Sequence, residues 1–324
     1  MVSRFESFLG PLMEEYLSYR EYLGYCTRPS FSHLKIFDRY VKMKNITREK
    51  LDPLFFLEMR AALKVEPRTV NRTITAARVF FQYLVRQGHY PDNPVKDVPY
   101  LSEWTSIPFI FSENEIDSLL AAVIKRIRHK ERYFLKDFSQ YMSIMLMARC
   151  GLRISETRRL LRHQYRLDEK TLYIEKTKFK KDRLIPLPRQ VGQEMDNYLP
   201  VRDALAPTAN PFLLAGLDQR GLCNSGILRM FRCAVRDIGL DQPRQRVVTM
   251  IISPPIPHSL RHSFAVNILK QVKERGISAQ NALPVLAVYM GHSEYKHTLK
   301  YLKLADAEHH RQLTQFIATK KAGP

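Results

Sequence analysis

Four helix-like patterns of apolar residues fill the start of the chain and restrict this region to a helical fold. In each pattern the apolar residues recur at the spacing of one helix face. The predicted helices are Phe5–Leu23, Ser30–Val41, Thr47–Leu63 and Thr69–Gln87. Gly88 ends the last pattern, and Pro91 and Pro94 follow it closely. We therefore predict a small all-helical bundle for residues 1–95.

A second domain is predicted beyond this bundle. The chain has 324 residues, which is about twice the ~150 residues expected of one domain. Residues 96–111 carry little apolar pattern and contain Pro99 and Pro108, so we interpret them as a linker. Helical patterns resume at Ser112, and residues 112–324 are predicted to form the second domain with a C-terminal tail.

One segment of this second domain departs from the helical pattern. Thr171–Ile174 and Arg183–Leu187 are short β-like runs, and the turn-like segment between them is rich in lysine. A basic β-hairpin is therefore predicted. The expected fold class is mainly α with a small β-hairpin or sheet, in which a helical domain is followed by an α+β domain.

The charge balance indicates a polyanionic partner. The chain has 52 Lys and Arg residues against 32 Asp and Glu, a net charge of +20. The first hundred residues carry 16 basic and 11 acidic residues, and the rest carry 36 and 21, so both parts are basic at +5 and +15. This favours nucleic acid or an anionic membrane surface, with ordinary solvated charge as the alternative. Because no run approaches the ~20 apolar residues of a membrane span and Met1–Gly10 does not resemble a signal peptide, we expect a cytoplasmic protein.

Neither metal nor disulfide chemistry is expected. Four cysteines are scattered without a CxxC pair, which is typical of reduced, buried residues. They are Cys26, Cys150, Cys223 and Cys233. His258 and His262 have the spacing of a helical metal pair, but the intervening Glu of a zinc protease helix and a nearby acidic third ligand are missing. We therefore predict no metal and no cofactor.

Two arginines lie beside polar residues that give them a candidate role. Arg153 lies at a turn between helical segments, and Glu156, three residues later, is placed to orient it. Arg261 lies at the start of another predicted helix, three residues after His258, so these two share a helix face. An arginine among apolar neighbours needs a carboxylate or a phosphate for its planar fork of donors. For Arg153 and Glu156, a purely structural ion pair is the alternative.

Two further residues near the end of the chain extend this set. His292 follows Gly291, and Tyr301 lies nine residues after His292. Taken alone, Tyr301 is interpreted as a half-buried residue of an amphipathic helix and His292 as a helix-capping residue. Their significance therefore depends on the residues that precede them.

Six residues in a fixed order resemble the tyrosine recombinase family, also called the phage integrase family. They are Arg153, Lys178, His258, Arg261, His292 and Tyr301. The surrounding motifs also look like those of the family. They are Gly151-Leu-Arg-Ile-Ser-Glu156, Lys178 eight residues before Pro186, His258-Ser-Leu-Arg-His262 and Gly291-His-Ser293.

The resemblance extends to the first domain and so covers nearly the whole chain. Thr69-Val-Asn-Arg72 and Phe80-Phe-Gln-Tyr-Leu84 resemble the closing helix of the helical, SAM-like core-binding domain of the family. The chain departs from the family pattern at Cys150, at Lys296-His-Thr298 and in a basic insertion around Arg244–Arg246. None of these departures falls on the six positions.

The resemblance implies DNA strand transesterification without metal or ATP, in which Tyr301 forms a 3′-phosphotyrosine and releases a 5′-hydroxyl. A phenol with a pKa of about 10 is a poor nucleophile unless cations stabilise its anion. Arg153 and Arg261 can neutralise the transition-state phosphate. The remaining roles are His258 as acid/base partner of Tyr301, His292 as hydrogen-bond donor to the phosphate, Lys178 as acid for the departing 5′ oxygen, and Glu156 as support. Arg72, Lys180 and Lys181 are expected to contact DNA.

The resemblance also implies partners and assembly. Two domains would clamp duplex DNA at a specific recombination site, and a homo-tetramer would act on two sites. Apolar residues in the tail would dock into a neighbouring protomer or pack on their own domain. They are Leu302, Leu304, Leu313, Phe316 and Ile317. The expected location is the cytoplasm, in association with the nucleoid. A site-specific recombinase for DNA integration, transposition or dimer resolution is the leading hypothesis. A type IB topoisomerase and a non-catalytic DNA-binding accessory protein are the alternatives.

Overall fold

The computed structural model describes residues 4–46, 51–175, 182–206, 209–217, 219–247, 250–292 and 294–306. The chain divides into two compact units, Met1–Thr105 and Ser106–Pro324. Helices dominate both units, and the described strands form two small sheets. The predicted fold class is therefore confirmed.

The first unit is a four-helix bundle in its described residues. The helices are α1 (Gly10–Tyr22), α2 (Arg28–Lys44), α3 (Pro53–Ala62) and α4 (Pro67–Arg86). A proline at the first or second position starts each helix, where its missing N–H costs nothing. Aromatic rings fill the centre of the bundle, as in the edge-on pair Phe56 and Phe81 with ring centroids 5.5 Å apart.

The predicted start of the first helix was too early. The chain enters α1 at Gly10 rather than at Phe5, because the backbone N–H groups of residues 6 and 7 donate to the buried carboxylate of Asp38 instead of beginning a helix. Helix α3 begins at Pro53, where Asp52 accepts a hydrogen bond from the N–H of Phe55 and caps the helix. The predicted start at Thr47 lies outside the described residues.

The segment interpreted as a linker, 96–111, packs at both of its ends. Val98 is buried in the core of the first unit, and the side-chain amide of Asn71 both donates to and accepts from the backbone of Leu101. At the other end, Phe109 and Phe111 are buried in the core of the second unit. Within this segment, residues 105–107 form strand β1.

The second unit combines helices with short strands. Its described helices are α5 (Glu113–Ile124), α6 (Glu131–Cys150), α7 (Ile154–Thr157), α8 (Arg189–Leu205), α9 (Asn224–Asp237), α10 (Pro257–Glu274), α11 (Ala279–Met290) and α12 (Lys296–Asp306). The strands are β1 (Thr105–Ile107), β2 (Tyr165–Arg166), β3 (Thr171–Ile174), β4 (Arg183–Pro186), β5 (Gln245–Val247) and β6 (Met250–Ile252). Helix α6 is buried along most of its length and forms the centre of the unit.

The strands form two three-stranded sheets, of order β2-β3-β4 and β1-β6-β5. Strands β3 and β4 are the predicted hairpin, and they pair antiparallel with Ile174 opposite Arg183. The second sheet was not predicted. Its strand β5 contains Gln245 and Arg246, so part of the basic insertion is strand, antiparallel to β6.

A separate small core holds the end of the described chain in place. Helix α12 packs against α10 and α11, and Tyr301 is buried there beside Leu269, Leu283 and Met290. This packing fixes α12 relative to the start of α10, and so determines which side chains Tyr301 meets.

All four cysteines are free, but only Cys150 is fully buried. Cys26 and Cys223 are exposed, so the expectation of buried cysteines is wrong for these two.

Over the residues that the structure describes, no helix combines the length and apolar character needed to cross a membrane.

Candidate active site

Most of the residues predicted to be catalytic come together in the second unit. Arg153 precedes α7, His258 and Arg261 lie in the first turns of α10, His292 follows α11, and Tyr301 lies in α12. Lys178, Lys180 and Lys181 lie outside the described residues. Arg72 lies on the exposed side of α4 in the first unit.

Arg261 is held in the site by the ends of two helices. Its side chain is almost completely buried, and its two terminal nitrogens donate to the backbone carbonyls of Gly151 and Met290, at the C-terminal ends of α6 and α11. The negative end of a helix dipole suits a cation. Burial and the charge of Arg153 lower the pKa of Arg261 to about 9, so it remains charged at neutral pH.

Two glycines make this arrangement possible. Gly151 ends α6 at a φ of +61°, where a Cβ atom would lie 2.5 Å from the ring of Phe264. Gly291 ends α11 at a φ of +64°, where a Cβ atom would lie 2.9 Å from Nη1 of Arg183. Left-handed backbone with no room for a side chain requires glycine. The glycine of the Gly-Leu-Arg motif thus leaves room for Phe264, and that of the Gly-His motif allows the close approach of Arg183.

Glu156 connects the arginines of the site. It accepts hydrogen bonds from Nη1 and from the backbone N–H of Arg153, both at 2.8 Å. It also accepts two bonds from Arg183, at 3.1 and 2.9 Å, and lies 3.9 Å from Nη1 of Arg261. Burial alone would raise the pKa of Glu156, but Arg183, the backbone N–H of Arg153 and the charge of Arg261 lower it to about 2. The carboxylate is therefore ionised at neutral pH.

Arg183 is the member of this network that the sequence did not reveal. It is the first residue of β4, its side chain is 6% exposed, and its Nε donates to the carbonyl of Tyr289 at 2.9 Å. In the sequence it was one basic residue of a basic hairpin. Only the pairing of β4 with β3 brings it to Glu156, 27 residues away.

We predict that Glu156→Gln lowers the free energy of unfolding by about 3–5 kcal/mol, because Arg183 would remain buried without a charged partner. The control Glu169→Gln breaks an exposed ion pair with Arg166 and should cost less than about 1 kcal/mol. Denaturant unfolding measures both values. Because folding lowers the pKa of Glu156, its contribution to the free energy of unfolding is complete above the pKa of about 4.3 that it has in the unfolded chain. This contribution is lost as the pH falls toward 2. An equal loss in both variants at pH 7 would contradict this prediction.

His292 stacks on Tyr301, and the residue before it contacts Arg153. The carbonyl of Gly291, just before it, accepts a hydrogen bond from Nη2 of Arg153 at 3.3 Å. Its ring stacks on that of Tyr301 with centroids 6.0 Å apart, and its Nδ1 lies 2.7 Å from Oγ1 of the buried Thr298. Burial and the nearby charges, first those of Arg261 and Arg153, lower the pKa of His292 to about 3. The imidazole is therefore neutral at pH 7.

Tyr301 is buried at 1% exposure among positive groups. Its burial raises its pKa to about 12, against the opposing effect of the charges of Arg261 and Arg153. The ammonium of Lys300 lies 5.1 Å from the centre of its ring. The hydroxyl is therefore protonated in this structure, and cations lie close enough to stabilise its anion.

Two imidazoles of α10 lie near this hydroxyl, but only one bonds to it. Nδ1 of His262 is 2.9 Å from Oη of Tyr301. His258 lies one turn earlier, is exposed, and meets the ring of His262 edge-on with centroids 4.5 Å apart. Although part of the His258 side chain is exposed, the protein packed around its imidazole and the charges of Arg261, Lys300 and Arg153 lower its pKa to about 4. Over the described residues, no group of three or more His, Cys, Asp or Glu side chains is arranged to hold a metal ion.

Comparisons with known proteins identify the family. The model of the phage integrase family matches residues 110–308. A Sinorhizobium fredii protein that bears the name integrase/recombinase y4rE is 29% identical over 306 residues, which cover 93% of each chain. A tyrosine recombinase of Thermosipho africanus is 25% identical over 316 residues, or 94% of this chain and 97% of the relative.

A solved structure of a lambda integrase dimer bound to a core site has the same fold. It matches with a TM-score of 0.67 at 14% identity, over 93% of this chain and 79% of that one. The matched residues include Arg153, Arg261, His292 and Tyr301. The chain therefore belongs to the phage integrase family, the family of the tyrosine recombinases.

Proposed function

We propose that this protein is a site-specific DNA recombinase that cuts and rejoins duplex DNA through a 3′-phosphotyrosine at Tyr301. The observation that carries this proposal is the position of Tyr301, a protonated phenol beside two arginines at the centre of the site. Its oxygen would attack the phosphorus while the 5′ oxygen leaves. A later 5′-hydroxyl would reverse the step, and the phosphodiester energy would be kept in the protein–DNA bond.

Arg153 and Arg261 would hold the non-bridging oxygens of the phosphate. A guanidinium has five N–H donors, and each arginine uses its two terminal nitrogens on partners within the protein. Donors therefore remain for a phosphate, and the fixed positions of the two guanidinium groups reduce the reorganisation required in the transition state.

The two histidines of the predicted set would take different parts. In His292 the hydroxyl of Thr298 can donate to Nδ1, which places the ring proton on Nε2 as a donor to the phosphate. His258, the more exposed imidazole, would serve as acid/base partner for the proton of Tyr301 once DNA is bound. Glu156 would keep Arg153 and Arg183 in position.

Lys178 would protonate the departing 5′ oxygen, and Lys180, Lys181 and Arg72 would contact the DNA backbone. The hairpin supports the first assignment. Arg183, opposite Ile174 in the register of β3 and β4, contacts Glu156, so the chain between these strands starts and ends beside the site.

We predict that the Lys178→Ala variant cleaves normal DNA very slowly. It should still cleave a 5′-phosphorothiolate substrate, because a sulfur leaving group needs no proton. The measurement is the single-turnover rate on matched oxygen and sulfur substrates. Lys180→Ala and Lys181→Ala are the controls, and we expect them to weaken DNA binding without sulfur rescue. If the sulfur substrate restored cleavage in one of the controls and not in Lys178→Ala, the general acid would be that lysine of the hairpin instead of Lys178.

The assembly we propose is a homo-tetramer on two DNA sites, with the C-terminal segment docking into a neighbouring protomer. Of the apolar tail residues, Leu302 and Leu304 pack against the small core of their own unit. The docking segment would contain Leu313, Phe316 and Ile317, which lie outside the described residues. The solved lambda integrase structure is that of a dimer on a core site. Cross-linking on DNA with one or two sites measures the number of protomers.

The test of the proposed function uses nicked duplexes built from DNA that flanks the coding sequence. The purified protein should form a covalent adduct at one duplex and then join that strand to a 5′-hydroxyl of a second duplex. Relaxation of supercoiled DNA without strand exchange would indicate a topoisomerase. Specific DNA binding with no adduct would indicate an accessory protein.

A further inference from the structure

The hydroxyl of Tyr301 has its hydrogen bond with His262, not with the histidine that the family resemblance singles out. Nδ1 of His262 lies 2.9 Å from Oη of Tyr301, and the two rings are 5.5 Å apart. His262 is buried on α10, and α12 packs directly against this helix. Among the described residues, no second hydrogen-bond partner for this hydroxyl and no bond between it and His258 is found.

The direction of this bond follows from the surroundings of His262. Desolvation, the neighbouring His258 and the charges of Lys300 and Arg261 lower the pKa of His262 to about 2. The ring is therefore neutral, and a neutral imidazole has one nitrogen that accepts and one that donates. If Nδ1 accepts, the phenolic proton has a partner. If Nδ1 donates, this proton has none among the described residues. A buried O–H without an acceptor is costly, so Nδ1 is the acceptor.

We propose that His262 is a further catalytic residue, which accepts the hydrogen bond of the Tyr301 hydroxyl and thereby orients the oxygen for attack. The proton is held on the side of α10, where His258, whose ring meets that of His262 edge-on, would take it up as the oxygen attacks. The lone pairs of the oxygen are left for the phosphorus. Accepting this bond also increases the electron density on the oxygen. Orientation of a reacting atom by a fixed partner is a substantial part of catalysis. This inference rests on the proposed role of Tyr301 as nucleophile.

The test compares variants of His262 that differ in whether the side chain carries a hydrogen-bond acceptor and in where that acceptor lies. His262→Asn places an amide oxygen at about the position of Nδ1, His262→Gln places it near Nε2, and His262→Leu removes it. We expect His262→Leu and His262→Gln to lower the single-turnover cleavage rate at saturating DNA on the order of 100-fold. His262→Asn should recover most of the rate. DNA affinity should be the same in all three, because His262 is buried.

A matched control disturbs the same helix without touching Tyr301. Ser263 is the next residue of α10, and its hydroxyl accepts a hydrogen bond from the N–H of Phe111 at 2.7 Å. Ser263→Ala should lower the melting temperature while the folded protein cleaves at the rate of the wild type. If Ser263→Ala slowed cleavage as much as His262→Leu does, the slower cleavage would be explained by disturbed packing of α10, and the inference would be overturned.

Three other results would also overturn the inference. Equal rates for His262→Asn and His262→Gln would show that the position of the acceptor does not matter, and this pair remains informative if the leucine variant does not fold. Faster cleavage by His262→Leu would show that the bond restrains the nucleophile. Adduct formation by Tyr301→Phe would refute the proposed function itself. Loss of adducts in Tyr301→Phe with full activity in His262→Leu would refute the inference alone.

Discussion

Tyr301→Phe should abolish covalent protein–DNA adducts on nicked duplexes while leaving DNA affinity unchanged. The substitution removes only the phenolic oxygen, which is buried and bonded to His262. The basic residues of both units remain, so the electrostatic part of DNA binding is retained. Losing one buried hydrogen bond should cost about 1 kcal/mol of folding free energy. Adducts are measured by denaturing gel electrophoresis, and affinity by a gel shift.

The matched control is Tyr295→Phe. Tyr295 precedes α12 and is the tyrosine nearest to Tyr301 in the chain. Because it is 46% exposed, its hydroxyl could reach DNA and replace Tyr301 as nucleophile. This variant should form adducts at the rate of the wild type. Persistent adducts in purified Tyr301→Phe, or their loss in Tyr295→Phe, would assign the nucleophile to another residue.

The sequence predicted those parts of the site that depend on short-range spacing. His258 and Arg261 share a helix face because they lie three residues apart, and the structure places both in the first turns of α10. Arg153 was predicted at a turn between helical segments, and the structure places it there, where Gly151 ends α6 in left-handed backbone. Such features need only local geometry.

The contacts that the sequence did not reveal join residues far apart in the chain. Arg183 reaches Glu156 only because β4 pairs with β3, and His262 reaches Tyr301 across 39 residues because α12 packs on α10. In the sequence, His262 was the second imidazole of a rejected metal pair. Residues 105–107 gave no strand signal, because three residues of an edge strand carry too little alternation to detect.

Arg153→Lys and Arg261→Lys should each slow DNA cleavage by at least ~100-fold, the cost of removing one preorganised donor from a transition state. Arg261 bridges the carbonyls of Gly151 and Met290 with two nitrogens and still has donors for a phosphate. A lysine has a single nitrogen, so it cannot hold both carbonyls and a phosphate oxygen in fixed positions. The measurement is the single-turnover rate at saturating DNA.

Arg149→Lys is the control, because the side chain of Arg149 is paired with Glu113 and Asp117 of α5 and not with the residues of the site, and this variant should keep the rate of the wild type. Melting temperatures of all three variants separate slow chemistry from loss of folding. The two site variants should bind DNA with nearly the affinity of the wild type, since lysine keeps the charge. Each lysine variant keeps the positive charge but loses the planar set of donors. A near-normal cleavage rate in both variants would therefore show that Arg153 and Arg261 act through charge or structure and not through the geometry of their donors.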